Sequence, residues 1–123
     1  DSILDLGSSN TLFAIGNHDD PSPFLYDFTG RNKYYSYYRN GITYLILDTE
    51  DDPGIISNDQ IDLIQNITDT VSISTHLVLM HHRIFWMIGN NDLDSLLPLV
   101  GGSTRDLLST NFYTDIYPLV LNV

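Results

Sequence analysis

Short apolar runs alternate with polar turns along most of this chain. Three runs predict strands, at Thr11–Ile15, Ile42–Asp48 and Thr75–Met80, and the first and last of them have the length and composition of buried strands. A tyrosine-rich run at Tyr34–Tyr38 precedes the second of them, and Asn40-Gly41 lies in between. Because Asn-Gly between two β-type runs favours a tight turn, we predict a hairpin here. The tyrosines either pack across its strands or stack on a ligand.

One amphipathic helix is predicted between the hairpin and the last strand. Ser57 is a helix N-cap in the pattern, with Gln60 three residues later as its capping-box partner. An apolar stripe at helical spacing follows, formed by Ile61, Ile64, Ile67 and Val71. A strand–helix–strand order predicts an α/β fold with a mixed sheet that contains some parallel pairing.

The C-terminal third of the chain has weaker patterns. Ile84–Met87 is an apolar patch that either lines a cleft or packs, and Asp92–Val100 is predicted as a short helix. Asn111 is predicted to cap a last helix, in which Pro118 causes a kink. The apolar face of that helix comprises Phe112, Ile116, Leu119, Val120 and Val123.

Composition narrows the classes of function. The chain of 123 residues is treated as one domain, and its net charge of −11 should repel phosphate backbones, so nucleic-acid binding is not expected. The absence of cysteine removes thiolate ligands, cysteine nucleophiles and disulfides. No stretch is long enough to span a bilayer and no signal-peptide pattern is present, so a soluble protein without membrane partners is expected.

Two of the predicted strands end in side chains that suit metal and phosphate chemistry. The first ends in Gly16-Asn17-His18-Asp19 and the other in His81-His82. Open α/β sheets place their ligands beyond the carboxyl ends of strands. An amide oxygen and an imidazole both bind divalent ions, and a carboxylate beside a histidine fixes its tautomer. Taken singly, each residue has another interpretation, because Gly-Asn is an ordinary turn and a strand-end histidine is often structural.

An ordered set of motifs resembles the calcineurin-like metallophosphoesterases, the superfamily that includes purple acid phosphatases. Phe13–Asp19 is similar to the family's GNH[DE] motif at the end of a strand. Three later segments continue the resemblance in the same order: Tyr34–Tyr37 with Ile42–Thr49 ("YYSF…G…fivLDT"), the helix start Ser57–Ile61, and Val78–His82 ("vvlmHHP"). The resemblance covers roughly residues 11 to 88.

This resemblance implies an αββα sandwich that hydrolyses phosphate esters with a dinuclear metal centre. Two divalent or trivalent ions of Mn, Fe, Zn or Co would be the cofactors. Asn17 and His81 map onto ligands of the second metal. His18 maps onto the residue that binds the scissile phosphate, and Asp19 supports it. The implied mechanism is in-line attack on phosphorus by a metal-activated hydroxide.

The substrate side of the site is extended by the residues around the histidine pair. His82 is predicted as a substrate contact. Arg83 stands where the family has proline, and its guanidinium adds a cation that suits phosphate. A small phosphate ester is the expected substrate.

The chain also departs from the family pattern. It contains no Asp-x-His, no Gly-Asp-x-x-Asp and no Gly-His-x-His, which supply the first metal and the bridging carboxylate. We therefore expect residues 1–123 to be the central segment of a domain whose flanking segments complete the site, and to be inactive alone. The alternative is a non-enzymatic remnant or interaction domain. A weaker one is a calcium-binding acidic module, although no EF-hand spacing is present.

Overall fold

The computed structural model describes residues 5–19, 27–67, 71–88, 90–93, 95–96 and 109–121. The strands are β1 (Tyr35–Arg39), β2 (Ile42–Ile46) and β3 (His76–Met80), and the helix α1 spans Asn58–Asn66. A 3₁₀ turn at Phe85–Met87, a π-helical turn at Phe112–Ile116 and the short helix α2 (Tyr117–Leu121) follow. Within the described ranges, no helix has both the length and the apolarity needed to cross a membrane.

The hairpin is confirmed. β1 and β2 pair antiparallel, with Arg39 opposite Ile42 and Tyr35 opposite Ile46. Asn40 and Gly41 occupy the loop with φ of 52° and 77°. Two consecutive positive φ angles match a type I′ turn, whose twist suits a two-residue hairpin and which Asn and Gly adopt at least cost.

The mixed α/β sheet is also confirmed. β3 lies beside β2 and pairs with it in parallel, giving the strand order β1-β2-β3. A parallel pair needs a crossover connection, and α1 lies in that connection. β2 is therefore the central strand, and Thr43, Leu45 and Ile46 are buried on it.

The core lies between the sheet, α1 and the C-terminal turn. Its buried members are Leu45, Leu47, Ile56, Ile64, Ile67, Val71, Phe85 and Ile116. Ile64 and Ile67 belong to the stripe that predicted α1, and Phe85 belongs to the apolar patch after the histidine pair. Burial of each such side chain stabilises the fold by about 1.5–3 kcal/mol. Phe85 and Met87 are buried while Trp86 is partly exposed, so most of the patch packs.

Two strand predictions need correction. Thr11–Ile15 is not a strand of the described sheet. Its backbone is held by side chains, since Tyr35 Oη contacts both the N–H and the carbonyl oxygen of Phe13, at 3.3 and 3.2 Å. β3 is not buried as predicted, because it is an edge strand of the described sheet, and Val78 is exposed on it.

The start of α1 differs from the predicted capping box. Ser57 is the N-cap residue, as predicted, but its side chain makes no capping hydrogen bond. The Gln60 amide bonds instead to the backbone of Asp48, where its Oε1 accepts from the N–H at 2.8 Å and its Nε2 donates to the carbonyl at 3.0 Å. Gln60 is buried, and its Nε2 also lies 3.4 Å from Ser57 Oγ, so the tertiary contact with Asp48 adds to a local one.

At the C-terminal end, Asn111 precedes the π-helical turn and Pro118 lies inside α2. The wide turn ends just before Pro118, which lacks the N–H that a regular helix requires. Asn111 does not cap the turn with its side chain but bonds to the N–H and carbonyl oxygen of Ile56, both at 2.9 Å. Most of the predicted helix Asp92–Val100, and Val123, lie outside the described residues.

Candidate functional site

The Gly16–Asp19 segment forms a closed turn. The Gly16 N–H donates to Asp19 Oδ2 at 3.0 Å, and the Asp19 N–H donates to the Gly16 carbonyl at 2.8 Å. The Asp19 carboxylate therefore holds the turn itself. Asn17 and His18 lie at its exposed tip. The predicted support of His18 by Asp19 stays a prediction, and here it would act through the shape of the turn.

The segment leading into this turn is fixed by Arg31. Its guanidinium donates to the carbonyl oxygens of Thr11 and Ser8. It also lies 5.6 Å from the ring centre of Phe13 and 5.8 Å from that of Tyr35, within the range of cation–π contacts. The Arg31 guanidinium thus binds backbone carbonyl groups of this segment that a neighbouring strand would otherwise pair with.

The two predicted site segments meet through Asn17 and His82. Asn17 Oδ1 lies 3.0 Å from His82 Nε2. Since an amide oxygen only accepts, Nε2 carries the proton in this contact. Gly16 permits the approach, because a Cβ at that position would lie 3.0 Å from His82 Nδ1. Sequence reasoning paired Asn17 with the first histidine of the pair, whereas the observed contact is with the second.

The His81 ring is oriented by a hydrogen bond and an aromatic contact. Its Nδ1 donates to the Arg83 carbonyl at 2.8 Å, and its ring packs edge-on against Phe85 with centroids 4.8 Å apart. Burial lowers the pKa of His81 below its usual value, and the neighbouring His82 adds to this while the hydrogen bond to Arg83 opposes it. A carbonyl accepts only from a protonated nitrogen, so the neutral ring keeps its lone pair on Nε2. A ring nitrogen in this state suits a metal ligand.

Arg83 is buried and ion-paired rather than open to solvent. Its Nε lies 2.9 and 3.0 Å from the Glu50 carboxylate oxygens, and its Nη2 lies 2.8 Å from Oε2. Its backbone N–H donates to Thr49 Oγ1 at 3.1 Å. The predicted phosphate contact of Arg83 stays a prediction, and it would have to compete with this pair.

Sequence reasoning missed the polar residues Asp48, Thr49 and Glu50, which follow β2 and form what we call the exit of β2. Asp48 is buried; its Oδ1 accepts the Glu50 N–H at 2.8 Å and its Oδ2 lies 3.6 Å from Lys33 Nζ. Among the described side chains, this Oδ2 is the buried polar atom without a hydrogen bond. Burial raises the pKa of Asp48, the Glu50 N–H opposes the rise, and the nearby Asp51 adds to it. The available signal was an Asp placed directly after a buried apolar strand.

The donors that meet here fit part of a metal site. Two ligands bound to one ion at 2.0–2.2 Å are about 3 Å apart, which matches the separation of 3.0 Å between Asn17 Oδ1 and His82 Nε2. Over the described ranges, no group of three or more His, Cys, Asp or Glu side chains could hold an ion. An amide oxygen and one imidazole nitrogen therefore lie at a separation that two ligands of a single ion would have.

Comparison with known proteins identifies no family for this chain. Protein-family models, curated proteins and solved structures yield no match to the chain. The function is therefore inferred from the motifs and from the geometry of the turn and the histidine pair.

Proposed function

We propose that this chain is the central segment of a calcineurin-like metallophosphoesterase domain that hydrolyses small phosphate esters. The observation that carries the proposal is the contact of 3.0 Å between Asn17 Oδ1 and His82 Nε2. It joins the GNHD turn to the histidine pair, two segments far apart in sequence that the motif order assigns to one site. A chance resemblance in either segment gives no reason for the two to meet.

Asn17 and His81 are the predicted metal ligands, and its contact with Asn17 makes His82, which the sequence predicted as a substrate contact, a further candidate ligand. The Asn17 oxygen adds a ligand without charge, and His81 offers the Nε2 lone pair left by its bond to Arg83. His82 would bind an ion through Nε2 only if its proton moved to Nδ1, so coordination would replace the hydrogen bond to Asn17. When bound, metal ions supply a Lewis acid for the phosphoryl oxygens and a nucleophile at neutral pH.

His18 and Asp19 have separate tasks in this proposal. His18 is exposed at the tip of the turn, where its imidazole can contact the phosphate and donate a proton to the leaving group. Asp19 closes the turn through the Gly16 N–H and so positions His18. The acidic composition of the chain favours small substrates over nucleic acids.

A second set of ligands is part of the proposal. The described ranges contain no group of three or more His, Cys, Asp or Glu side chains that could hold an ion, whereas a dinuclear centre needs a bridging carboxylate. We propose that segments outside this sequence supply that carboxylate and the remaining ligands. The chain alone would then bind metal weakly and turn over little substrate.

Hydrolysis of an aryl phosphate with Mn²⁺ by the natural full-length protein is the decisive measurement. Asn17→Ala and His81→Ala should each reduce kcat/KM by about a hundredfold or more, typical of losing a transition-state contact. His76→Ala is the matched control, because His76 is an exposed histidine at the opposite end of β3. Unchanged activity in both site variants, or activity that persists after chelation, would contradict the assignment. No activity in the unaltered protein would favour an interaction or remnant domain.

A further inference from the structure

The loop that carries the histidine pair has little regular structure of its own. β3 ends at Met80 and the 3₁₀ turn begins at Phe85, so residues 81–84 lie between the two elements. Backbone in such a stretch is held in place by side chains or by neighbouring segments. In this loop, the side chains of two residues that follow β2 bond to the backbone N–H and to the guanidinium of Arg83.

Thr49 and Glu50 hold Arg83 at two points. Thr49 Oγ1 accepts the Arg83 backbone N–H at 3.1 Å, which fixes the peptide. The Glu50 carboxylate binds the guanidinium through Nε and Nη2 at 2.8–3.0 Å, which fixes the side chain. Both partners of the ion pair are almost fully buried, with side chains 8% and 3% exposed. Glu50 is itself anchored through its N–H to Asp48 Oδ1 at 2.8 Å.

The same residue, Arg83, selects the tautomer of His81. Its carbonyl oxygen lies 2.8 Å from His81 Nδ1 and accepts only from a protonated nitrogen. The position of this carbonyl thus decides which ring nitrogen keeps its lone pair.

We propose that Thr49 and Glu50 are positioning residues for His81, acting through Arg83 to hold the carbonyl that selects the Nδ1–H tautomer. Neither residue touches substrate or metal. In this proposal, the Arg83 guanidinium, which was predicted to bind phosphate, instead holds the loop in place through Glu50. That His81 then offers Nε2 to an ion rests on the proposed function, whereas the selection of the tautomer does not.

Nitrogen-15 NMR of the metal-free protein tests the proposal directly. The shifts of the two ring nitrogens report the tautomer, which a purely structural contribution of Glu50 to stability would not change. We expect the Nδ1–H form of His81 to dominate in the unaltered protein. In Glu50→Gln and in Thr49→Val, the ratio of Nδ1–H to Nε2–H should fall by roughly threefold to tenfold, the equivalent of one ordinary hydrogen bond.

Asp51→Asn is the matched control, because Asp51 is an exposed carboxylate in the same turn that pairs with Lys33. It should leave the His81 signal unchanged. Thr49→Val changes no charge, so it tests the proposal even where Glu50→Gln fails to fold. A dominant Nε2–H form in the unaltered protein, unchanged ratios in folded variants, or an equal shift in Asp51→Asn would each overturn the proposal.

Adding Mn²⁺ separates this proposal from the proposed function. Broadening of the His81, His82 and Asn17 signals in the unaltered protein is expected if these residues face a metal site. If the tautomer responds to Thr49→Val as expected but Mn²⁺ leaves these signals unchanged, the positioning role stands and the metal assignment falls. If Mn²⁺ broadens these signals but neither Glu50→Gln nor Thr49→Val changes the tautomer ratio of His81, the positioning role is wrong.

Discussion

Gln60 offers the sharpest test of how the exit of β2 is held. Its carboxamide makes two hydrogen bonds to the Asp48 backbone, at 2.8 and 3.0 Å, and its side chain is almost completely buried. These bonds extend the sheet-like pairing of β2 by one residue through a side chain. Gln60→Leu removes both bonds and keeps a side chain of similar volume, so little cavity is created.

The expected cost follows from what the substitution leaves behind. The Asp48 N–H and carbonyl would become buried groups without partners, and each such group costs about 1–3 kcal/mol. Allowing for partial relaxation, we expect the free energy of unfolding to fall by roughly 2–4 kcal/mol. Domains of this size have about 5–15 kcal/mol in total, so the effect would be large. If Gln60 were only the capping-box partner of Ser57, the loss would be about 1 kcal/mol.

Urea denaturation followed by circular dichroism at pH 7 measures the difference. Gln65→Leu is the matched control, because Gln65 is exposed on the same helix and should cost less than about 0.5 kcal/mol. Gln60→Glu adds a second test. Its carboxylate faces the Asp48 carbonyl at pH 7 but can donate to it once protonated, so its deficit relative to the unaltered protein should shrink on acidification. A Gln60→Leu loss below 1 kcal/mol, or a Gln60→Glu deficit independent of pH, would refute the reasoning.

Three further substitutions test other parts of the structure. Burial raises the pKa of Asp48 above 3.8, so between 3.8 and the raised value the folded state binds more protons than the unfolded state. The contribution of Asp48 to stability therefore falls as pH rises through this range. Asp48→Asn should gain stability relative to the unaltered protein at pH 7, and this gain should disappear near pH 4 in urea titrations. Gly16→Ala should push the His82 ring away and reduce Mn²⁺ affinity while changing the melting temperature little; equal affinity would contradict the close approach. Asn111→Leu removes both bonds to Ile56 and should lower the free energy of unfolding by about 1–3 kcal/mol, and a loss near zero in urea melts would argue against this role.

The parts of the fold that follow from local pattern were predictable. The Asn40-Gly41 turn needs two positive φ angles, which only a few residue types adopt at low cost, so the pattern predicted the hairpin reliably. The stripe of α1 predicted its buried face because periodicity reports which side of a helix is apolar. Thr11–Ile15 was predicted wrongly as a strand because an apolar run does not reveal where its backbone groups find partners. Here the partners are the side chains of Tyr35 and Arg31.

The candidate site divides in the same way. The motif order predicted that Asn17 and His81 share a site, and the contact that the structure describes joins Asn17 to His82. The choice between His81 and His82 as its neighbour depends on the loop backbone, about which spacing says nothing. Arg83 shows the limit more clearly. A surface cation and a buried partner of Glu50 have the same sequence signature, and only the position of the carboxylate after β2 distinguishes them.

Gln60, Asn111 and Thr49 share a feature that the sequence pattern did not predict, since their side chains replace backbone pairing. The Gln60 side chain pairs with the Asp48 backbone after the end of β2, and the Asn111 side chain pairs with the Ile56 backbone. Thr49 Oγ1 accepts the backbone N–H of Arg83. Each of them satisfies buried N–H or carbonyl groups that a longer strand or helix would otherwise pair. The polar residues that follow β2 thus hold Arg83 next to the histidine pair. Because the two site segments approach through exposed residues with little apolar area, we infer that this polar framework, more than the core, sets the geometry of the site.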